Sequence, residues 1–338
     1  MSGFLLAPGL ARPGGLVRFC VNRALRILPA LFVVVIASMF VLGPALTTYS
    51  LADYFGSIEL CLYLKNAVTL MSHYLPGVVR HGHEAQINGP LWTLNVEVWS
   101  YAALATLSVA GFLRRRVLTM VSFGLVYLAY VVLALSPSLH AASAQRFLDF
   151  IGLFVYFIAS TNLYLYRDSI PFSGMWAAGA AGLALIGLAG GLGAVVLPLC
   201  VPYVVVYLGL SEVSGRVPLK HDLSYGVYLI HSPVILALLT ILDLSAGWLL
   251  ALLAGLMTLV LAYASWRFVE APALKQKASV LRWVSSYTAR LGNEGAVVPA
   301  SARGCEQSNS LTGKIEVDPV RRSESALAPD LRPKVIAR

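Results

Sequence analysis

The sequence predicts an all-α polytopic membrane protein with about eight transmembrane helices plus one interfacial helix. Of its 338 residues, 58% are hydrophobic and only 12% are charged, about half of the roughly 25% that is usual in soluble globular proteins. Uncharged runs of about 20 residues, the length that crosses the hydrocarbon core of a bilayer, recur along the chain. This composition argues against a soluble enzyme, a secreted disulfide scaffold and a disordered protein.

Eight apolar runs predict the transmembrane helices. The uncharged stretch 169–211 is too long for one span, and Gly190, Gly191 and Gly193 divide it into two. The predicted spans are residues 27–46, 92–113, 117–136, 147–166, 172–189, 192–210, 223–242 and 246–266.

Residues 51–71 are apolar but predict a helix that lies at the membrane interface. Three charges interrupt the stretch, and each would cost about 2.5–3.5 kcal/mol at the centre of a span. These charges are Asp53, Glu59 and Lys65. Apolar side chains recur at helical spacing, at Leu51, Phe55, Ile58 and Leu62.

The charge distribution orients the spans. With the N-terminus inside, the inner loops carry eleven Lys/Arg and the outer loops three, which satisfies the positive-inside rule. The net charge of +9 therefore indicates loops at an anionic cytoplasmic membrane surface, with both termini cytoplasmic, rather than nucleic-acid binding.

Charge density also divides the chain into two parts. Residues 1–270 hold 14 Lys/Arg and 10 Asp/Glu, whereas residues 271–338 hold 11 and 6 in a much shorter stretch. We expect a transmembrane domain over 1–270 and a polar cytoplasmic tail over 271–338, largely disordered after one short helix. Arg267 and Glu270, at i and i+3, predict a helix-surface ion pair, and Pro272 predicts the end of that helix.

Ionisable residues within spans are costly and are therefore candidates for function. Glu97 lies six residues after Leu91, where its span begins, which predicts a depth of about 9 Å below the outer surface. Trp92 and Trp99 fit an interfacial aromatic belt. A structural alternative is that Glu97 faces the bundle interior and bonds a neighbouring helix.

His231 lies near the middle of its predicted span, about 12 Å from the inner end. A neutral histidine there is suited to act as a general base; the alternative is a helix-packing histidine beside a kink at Pro233. Tyr228 shares its face at i−3, and Tyr225 lies nearly a turn earlier.

Arg23 and Arg26 project from one helical face just before the span that begins at residue 27. Two guanidinium groups so placed are able to bind a phosphate or a carboxylate, although spacing alone favours ordinary anchoring at the inner membrane surface. His81, His83 and Glu84 are too few to predict a metal site, and we read them as a solvated loop.

Five stretches together resemble the membrane acyltransferase-3 family, which O-acylates bacterial cell-surface polysaccharides and some macrolides. They occur in the expected order between about residues 2 and 275. These stretches are residues 2–6, 22–29 with its Arg-x-x-Arg, 88–97 (NGPLWTLNVE), 223–233 (LSYGVYLIHSP) and 266–272 (WRFVEAP).

The resemblance implies an acyl-CoA donor, often acetyl-CoA, on the cytoplasmic side of a bacterial inner membrane, with no permanently bound cofactor. Its acceptor is a hydroxyl of a lipid-linked or exported glycan such as O-antigen, or of another small molecule. The resemblance implies that Arg23 and Arg26 contact the donor. Family members also have a first-span Arg and His about ten residues apart, which this chain lacks, and we expect the family's N-terminal first span to be missing.

The sequence therefore predicts a membrane O-acyltransferase that modifies an envelope or exported saccharide. Its predicted catalytic residues are His231 and Glu97. The predicted acceptor pocket consists of Trp92, Asn88, Tyr225 and Tyr228. Two alternatives stay open, a transporter or flippase with a Glu97/His231 proton relay and an inactive relative that binds a glycan.

Overall fold

A computed structural model describes residues 1–10, 15–68, 72–136, 142–211, 221–242 and 247–294. Within these residues the chain is almost entirely helical, which confirms the predicted fold class. In the part of the chain that the structure describes, six helical stretches are long and apolar enough to cross a membrane, by length and composition. The tail after residue 294 lies outside the described residues, as do Arg12, Arg216 and Lys220 of the inner-loop charges.

All eight predicted spans are helices. They are part of α2 (Gly15–Ala37, continued by a π-helical turn at Ser38–Leu42 and by α3, Gly43–Leu46), α6 (Leu91–Val109), α7 (Arg116–Ala134), α8 (Ala142–Leu165), α9 (Gly174–Ala189), α10 (Gly193–Leu210), α11 (Ser224–Ile241) and α12 (Trp248–Ser265). Gly191 adopts a φ of 73° between α9 and α10, so the split predicted at these glycines is confirmed.

One helix was not predicted. The segment α1 (Ser2–Leu10) packs against α8, and a Cβ at Gly3 would lie 2.3 Å from the carbonyl oxygen of Phe157. The missing side chain at Gly3 is therefore what allows the two backbones to approach closely.

The predicted interfacial helix is broken into short pieces. They are α4 (Leu51–Gly56), α5 (Ile58–Tyr63) and a 3₁₀ turn over Leu64–Val68, and Ser50 and Ser57 cap the first two. The Tyr54 hydroxyl donates to the carbonyl oxygen of Met39 over 2.8 Å in the π-helical turn. Burial raises the pKa of Tyr54 to about 12, so the hydroxyl keeps this hydrogen bond even at a pH at which an ordinary tyrosine ionises.

Between these pieces and α6, the chain folds back into the bundle. A short hairpin, β1 (Val79–Arg80) with β2 (His83–Glu84), pairs antiparallel, and Ile87 beyond it is fully buried. This return places the start of α6 against the middle of the bundle rather than at its edge.

After α12 the chain continues as further helical segments. A π-helical turn (Trp266–Glu270) leads into α13 (Ala271–Lys275) and α14 (Lys277–Glu294). The helix stop predicted at Pro272 is wrong, because Pro272 occupies the first turn of α13, where its missing N–H costs nothing. One compact unit extends from Met1 to Ala289; the predicted division after residue 270 stays a prediction.

Candidate functional site

Two carboxylates bind the guanidinium group of Arg26. Its Nη1 donates to Glu270 over 3.2 Å, and its Nη2 donates to Asp222 over 2.6 Å. The Arg26 side chain is 18% exposed, that of Glu270 2% and that of Asp222 59%. Arg26 therefore ties α2 to the start of α11 and to the π-helical turn after α12.

The helix-surface pair predicted between Arg267 and Glu270 is wrong. Glu270 pairs with Arg26 and also accepts from the Ser265 hydroxyl over 3.2 Å, while Arg267 lies over the ring of Phe268. The physical reason is that residues 266–270 form a π-helical turn, in which the i, i+3 relation of an α-helix no longer brings the two side chains to one face.

Arg23 joins a second cluster. Its guanidinium carbon lies 5.6 Å from the centre of the Tyr101 ring, within cation–π distance. The Tyr101 hydroxyl donates to Glu97. Among the described residues, the Nε of Arg23 is buried and has no hydrogen-bond partner. This cluster therefore presents one buried donor that an anionic ligand would satisfy.

Both arginines lie inside helix α2, eight and eleven residues after Gly15, rather than before it. The helical stretch Gly15–Leu46, of 32 residues, is longer than the roughly 20 residues that a span needs, so the expectation that the two arginines precede the span beginning at residue 27 stays a prediction. Charges are costly within a membrane helix unless they are paired. Glu270 and Asp222 on Arg26, and the Tyr101 ring on Arg23, supply those partners.

The predicted depth of Glu97 is also wrong. Glu97 binds Tyr101, which lies beneath Arg23, and Arg23 is about 35 Å along the helical path from Leu46 at 1.5 Å per residue. Glu97 therefore lies toward the Arg23 end of the bundle. The cause is the inward fold of residues 79–90. Helix α6 starts at Leu91 as predicted, but Asn88 just before it bonds to Leu229, five residues after the start of α11.

Three hydrogen bonds hold the turn before α6 against α11. Asn88 Nδ2 donates to the carbonyl oxygen of Leu229 over 2.8 Å, and the Tyr228 hydroxyl donates to that of Pro90 over 2.6 Å. Thr93 Oγ1 lies 2.9 Å from the same Tyr228 hydroxyl. Asn88 Oδ1 is buried and has no partner among the described residues.

Tyr225 packs against the Arg26 cluster. Its hydroxyl donates to the carbonyl oxygen of Ile27 over 2.8 Å, and its ring lies 5.7 Å from the guanidinium carbon of Arg26. Arg26 therefore lies at the level of Tyr225 in the bundle.

His231 lies further along α11. Its Nδ1 is 2.9 Å from the carbonyl oxygen of Tyr228 and 3.1 Å from that of Val227. Because carbonyl oxygens only accept, Nδ1 carries the proton in neutral His231 and Nε2 carries the lone pair. In a half-buried histidine, that tautomer is the one suited to act as a base through Nε2.

In the described part of the chain, no hydrogen bond joins Glu97 to His231. Six residues separate Tyr225, which packs on Arg26, from His231, a rise of about 9 Å along α11. Arg23 lies three residues before Arg26, about 4.5 Å further along α2. Arg23, Arg26 and His231 thus form a line of about 14 Å, with the arginines near one end and the histidine at the other.

The structure adds two residues, Tyr101 and Asp222, that the sequence did not predict. It defines the role of Trp92 less well. Tyr101 lies at i+4 from Glu97, a spacing that was readable from the sequence, whereas Asp222 is 196 residues from Arg26 and had no local signal. Trp92 is half-buried at the start of α6. Within the described ranges, no group of three His, Cys, Asp or Glu residues is arranged to hold a metal ion.

Sequence comparisons relate the chain to known proteins. A family model described as an acyltransferase domain matches residues 1–267. Nodulation protein 10 of Rhizobium leguminosarum bv. viciae is 28% identical over 307 residues, covering 83% of this chain and 82% of that protein. An O-acetyl transferase of Shigella phage Sf6 is 28% identical over 283 residues, covering 80% of this chain and 81% of that protein. No solved structure matches the chain.

Proposed function

Because the chain belongs to the acyltransferase-3 family, we propose that it is a membrane enzyme that transfers an acyl group, usually acetyl, from acyl-CoA to a hydroxyl of an envelope or exported saccharide. Family membership and the O-acetyl transferase relative support the acyltransferase activity itself. The donor, the acceptor, a bacterial cytoplasmic membrane and the cytoplasmic position of both termini are parts of this proposal.

The line of side chains from Arg23 to His231 carries the proposal. Acyl-CoA has anionic phosphates at one end and its thioester at the other, with a long flexible arm between them. Arg23 and Arg26 would bind the phosphates, since guanidinium groups bind phosphate through charge-assisted hydrogen bonds. The spacing of about 14 Å along the helices would place the thioester near His231.

His231 would then act as the general base. Its Nε2 takes the proton of the acceptor hydroxyl as the hydroxyl oxygen attacks the thioester carbonyl carbon. The tetrahedral intermediate collapses, the carbon–sulfur bond breaks, and the departing CoA sulfur takes the proton back from His231. General base catalysis of this kind contributes about 10²–10⁴-fold to the rate.

The other predicted site residues take positioning roles in this proposal. The hydroxyls of Tyr225 and Tyr228 already donate to backbone carbonyls, so these residues hold α11 against α2 and the turn before α6. The buried Oδ1 of Asn88 has no partner among the described residues, and an acceptor hydroxyl would donate a hydrogen bond to it. Trp92 supplies apolar surface next to that turn, and Glu97 fixes Tyr101 beneath Arg23.

The transporter alternative rests on a relay between Glu97 and His231. In the described part of the chain no hydrogen bond joins them. No observation favours that alternative over acyl transfer.

The test compares wild type with His231→Ala in proteoliposomes that receive acetyl-CoA and a glycan acceptor. Free CoA thiol and acetylated glycan are both measured. The matched control is His83→Ala, since His83 is exposed in the β1–β2 hairpin. We expect His231→Ala to lose at least about 100-fold in rate and His83→Ala to keep full activity. Equal rates for the three proteins would remove His231 from the site.

A further inference from the structure

The two carboxylates on Arg26 differ in how easily they could be replaced. Glu270 is buried, so freeing it would leave an unpaired charge in a place that water does not reach, which is strongly unfavourable. Asp222 is 59% exposed, and exposed ion pairs contribute little because water and salt replace them. Of the two partners, only Asp222 exchanges at low cost.

The geometry of Arg26 allows that exchange without other changes. Glu270 uses Nη1 and Asp222 uses Nη2, so loss of one contact leaves the other intact. The rings of Tyr225 and Trp266 lie 5.7 and 5.9 Å from the guanidinium carbon. These rings and Glu270 fix the guanidinium group, and an incoming anion would meet it already oriented.

Asp222 also has a second hydrogen-bond partner, which remains when its contact with Arg26 is broken. Its Oδ1 accepts from the Ser224 hydroxyl over 2.6 Å, while its Oδ2 faces Arg26. A displaced Asp222 therefore retains a hydrogen bond to Ser224 and gains water on its exposed side. This arrangement lowers the cost of displacement further.

We propose that Asp222 occupies the position of a donor phosphate on Arg26, and that acyl-CoA binding replaces the Asp222 carboxylate with that phosphate. The inference rests on the proposed function and deepens it, because it makes Asp222 a resident competitor that sets the affinity for the donor. Arg23, whose buried Nε has no partner among the described residues, needs no such exchange.

The test removes the competitor. Asp222→Asn keeps the shape of the side chain and its contact with Ser224 but removes the charge that competes with phosphate. The matched control is Asp168→Asn, because Asp168 is also 59% exposed and pairs with exposed arginines. It removes the same surface charge at a place outside the site.

We expect Asp222→Asn to lower the KM for acetyl-CoA by up to about fivefold, the range of an exposed ion pair, with kcat unchanged. The dissociation constant of free CoA, measured on the full chain in lipid nanodiscs, should fall by the same factor. Asp168→Asn should leave both values at the wild-type level.

The outcomes separate the two proposals. If wild type binds CoA and acylates, but Asp222→Asn has an unchanged or weaker affinity for CoA, the exchange at Arg26 is wrong and the proposed function stands. An equal gain in CoA affinity in Asp168→Asn would also overturn the exchange at Arg26, because the gain would then come from the change in general surface charge. If wild type neither binds CoA nor acylates, the proposed function itself fails.

Discussion

Replacing Glu270 with glutamine tests how much the buried Arg26–Glu270 ion pair contributes to stability. Removing one partner of a buried pair generally costs about 3–5 kcal/mol. Arg26 keeps Asp222 and is 18% exposed, so we expect about half of that, roughly 2 kcal/mol of unfolding free energy. The new amide oxygen would still accept from Ser265, but the amide hydrogens would face Nη1 of Arg26.

Thermal unfolding of the purified protein in nanodiscs measures this cost. About 2 kcal/mol corresponds to a fall in melting temperature of roughly 4–8 °C at 2–4 °C per kcal/mol. Asp222→Asn breaks the exposed half of the same cluster and should cost at most about 1 kcal/mol. The ratio of the two losses of unfolding free energy, that of Glu270→Gln to that of Asp222→Asn, depends on the burial of Glu270.

Two results would refute this reasoning. One is an equal fall in melting temperature for Glu270→Gln and Asp222→Asn. The other is a double variant, Arg26→Gln with Glu270→Gln, whose cost equals the sum of the single costs, because coupled residues depart from additivity.

Two further predictions concern α6 and α1. Tyr101→Phe keeps the ring beneath Arg23 but removes the hydrogen bond to Glu97; we expect a cost of about 1.5–3 kcal/mol in thermal unfolding and slower acyl transfer, and an unchanged rate would exclude Glu97 from the site. Gly3→Leu should cost about 1–3 kcal/mol in the same unfolding measurement, because a Cβ there would lie 2.3 Å from a backbone oxygen of α8. Gly9→Leu in the same helix is its control, since no atom lies within 4 Å of that Cβ, and equal melting temperatures would contradict close packing at Gly3.

The helices were predictable because a membrane requires long uncharged runs. Each predicted span is therefore a helix, and the glycines at 190–193 mark a boundary that the backbone needs. Helix α1 was missed because nine residues are too short to span and because its place depends on Gly3 meeting α8, a contact between distant parts of the chain.

The site was predictable in its residues but not in its geometry. Burying a charge or a histidine is costly, so Glu97 and His231 stand out in an apolar sequence. Their positions follow from contacts far apart in sequence. Glu270 pairs with Arg26, 244 residues away, instead of with nearby Arg267, and the inward fold of residues 79–90 moves Glu97 toward Arg23. The local spacing of residues in the sequence predicts neither the Arg26–Glu270 pair nor the position of Glu97.

The central claim is that the chain transfers an acyl group from a donor held by its half-buried arginines, Arg23 and Arg26. The most direct measurement supplies labelled acetyl-CoA to membranes that contain wild type, Arg23→Gln or Arg18→Gln, and follows the label into the glycan fraction. Arg18 lies on the same helix but is exposed. We expect label with wild type and Arg18→Gln and strongly reduced label with Arg23→Gln at equal protein levels. Equal labelling by Arg23→Gln and wild type, or no labelled glycan from wild type, would contradict the claim.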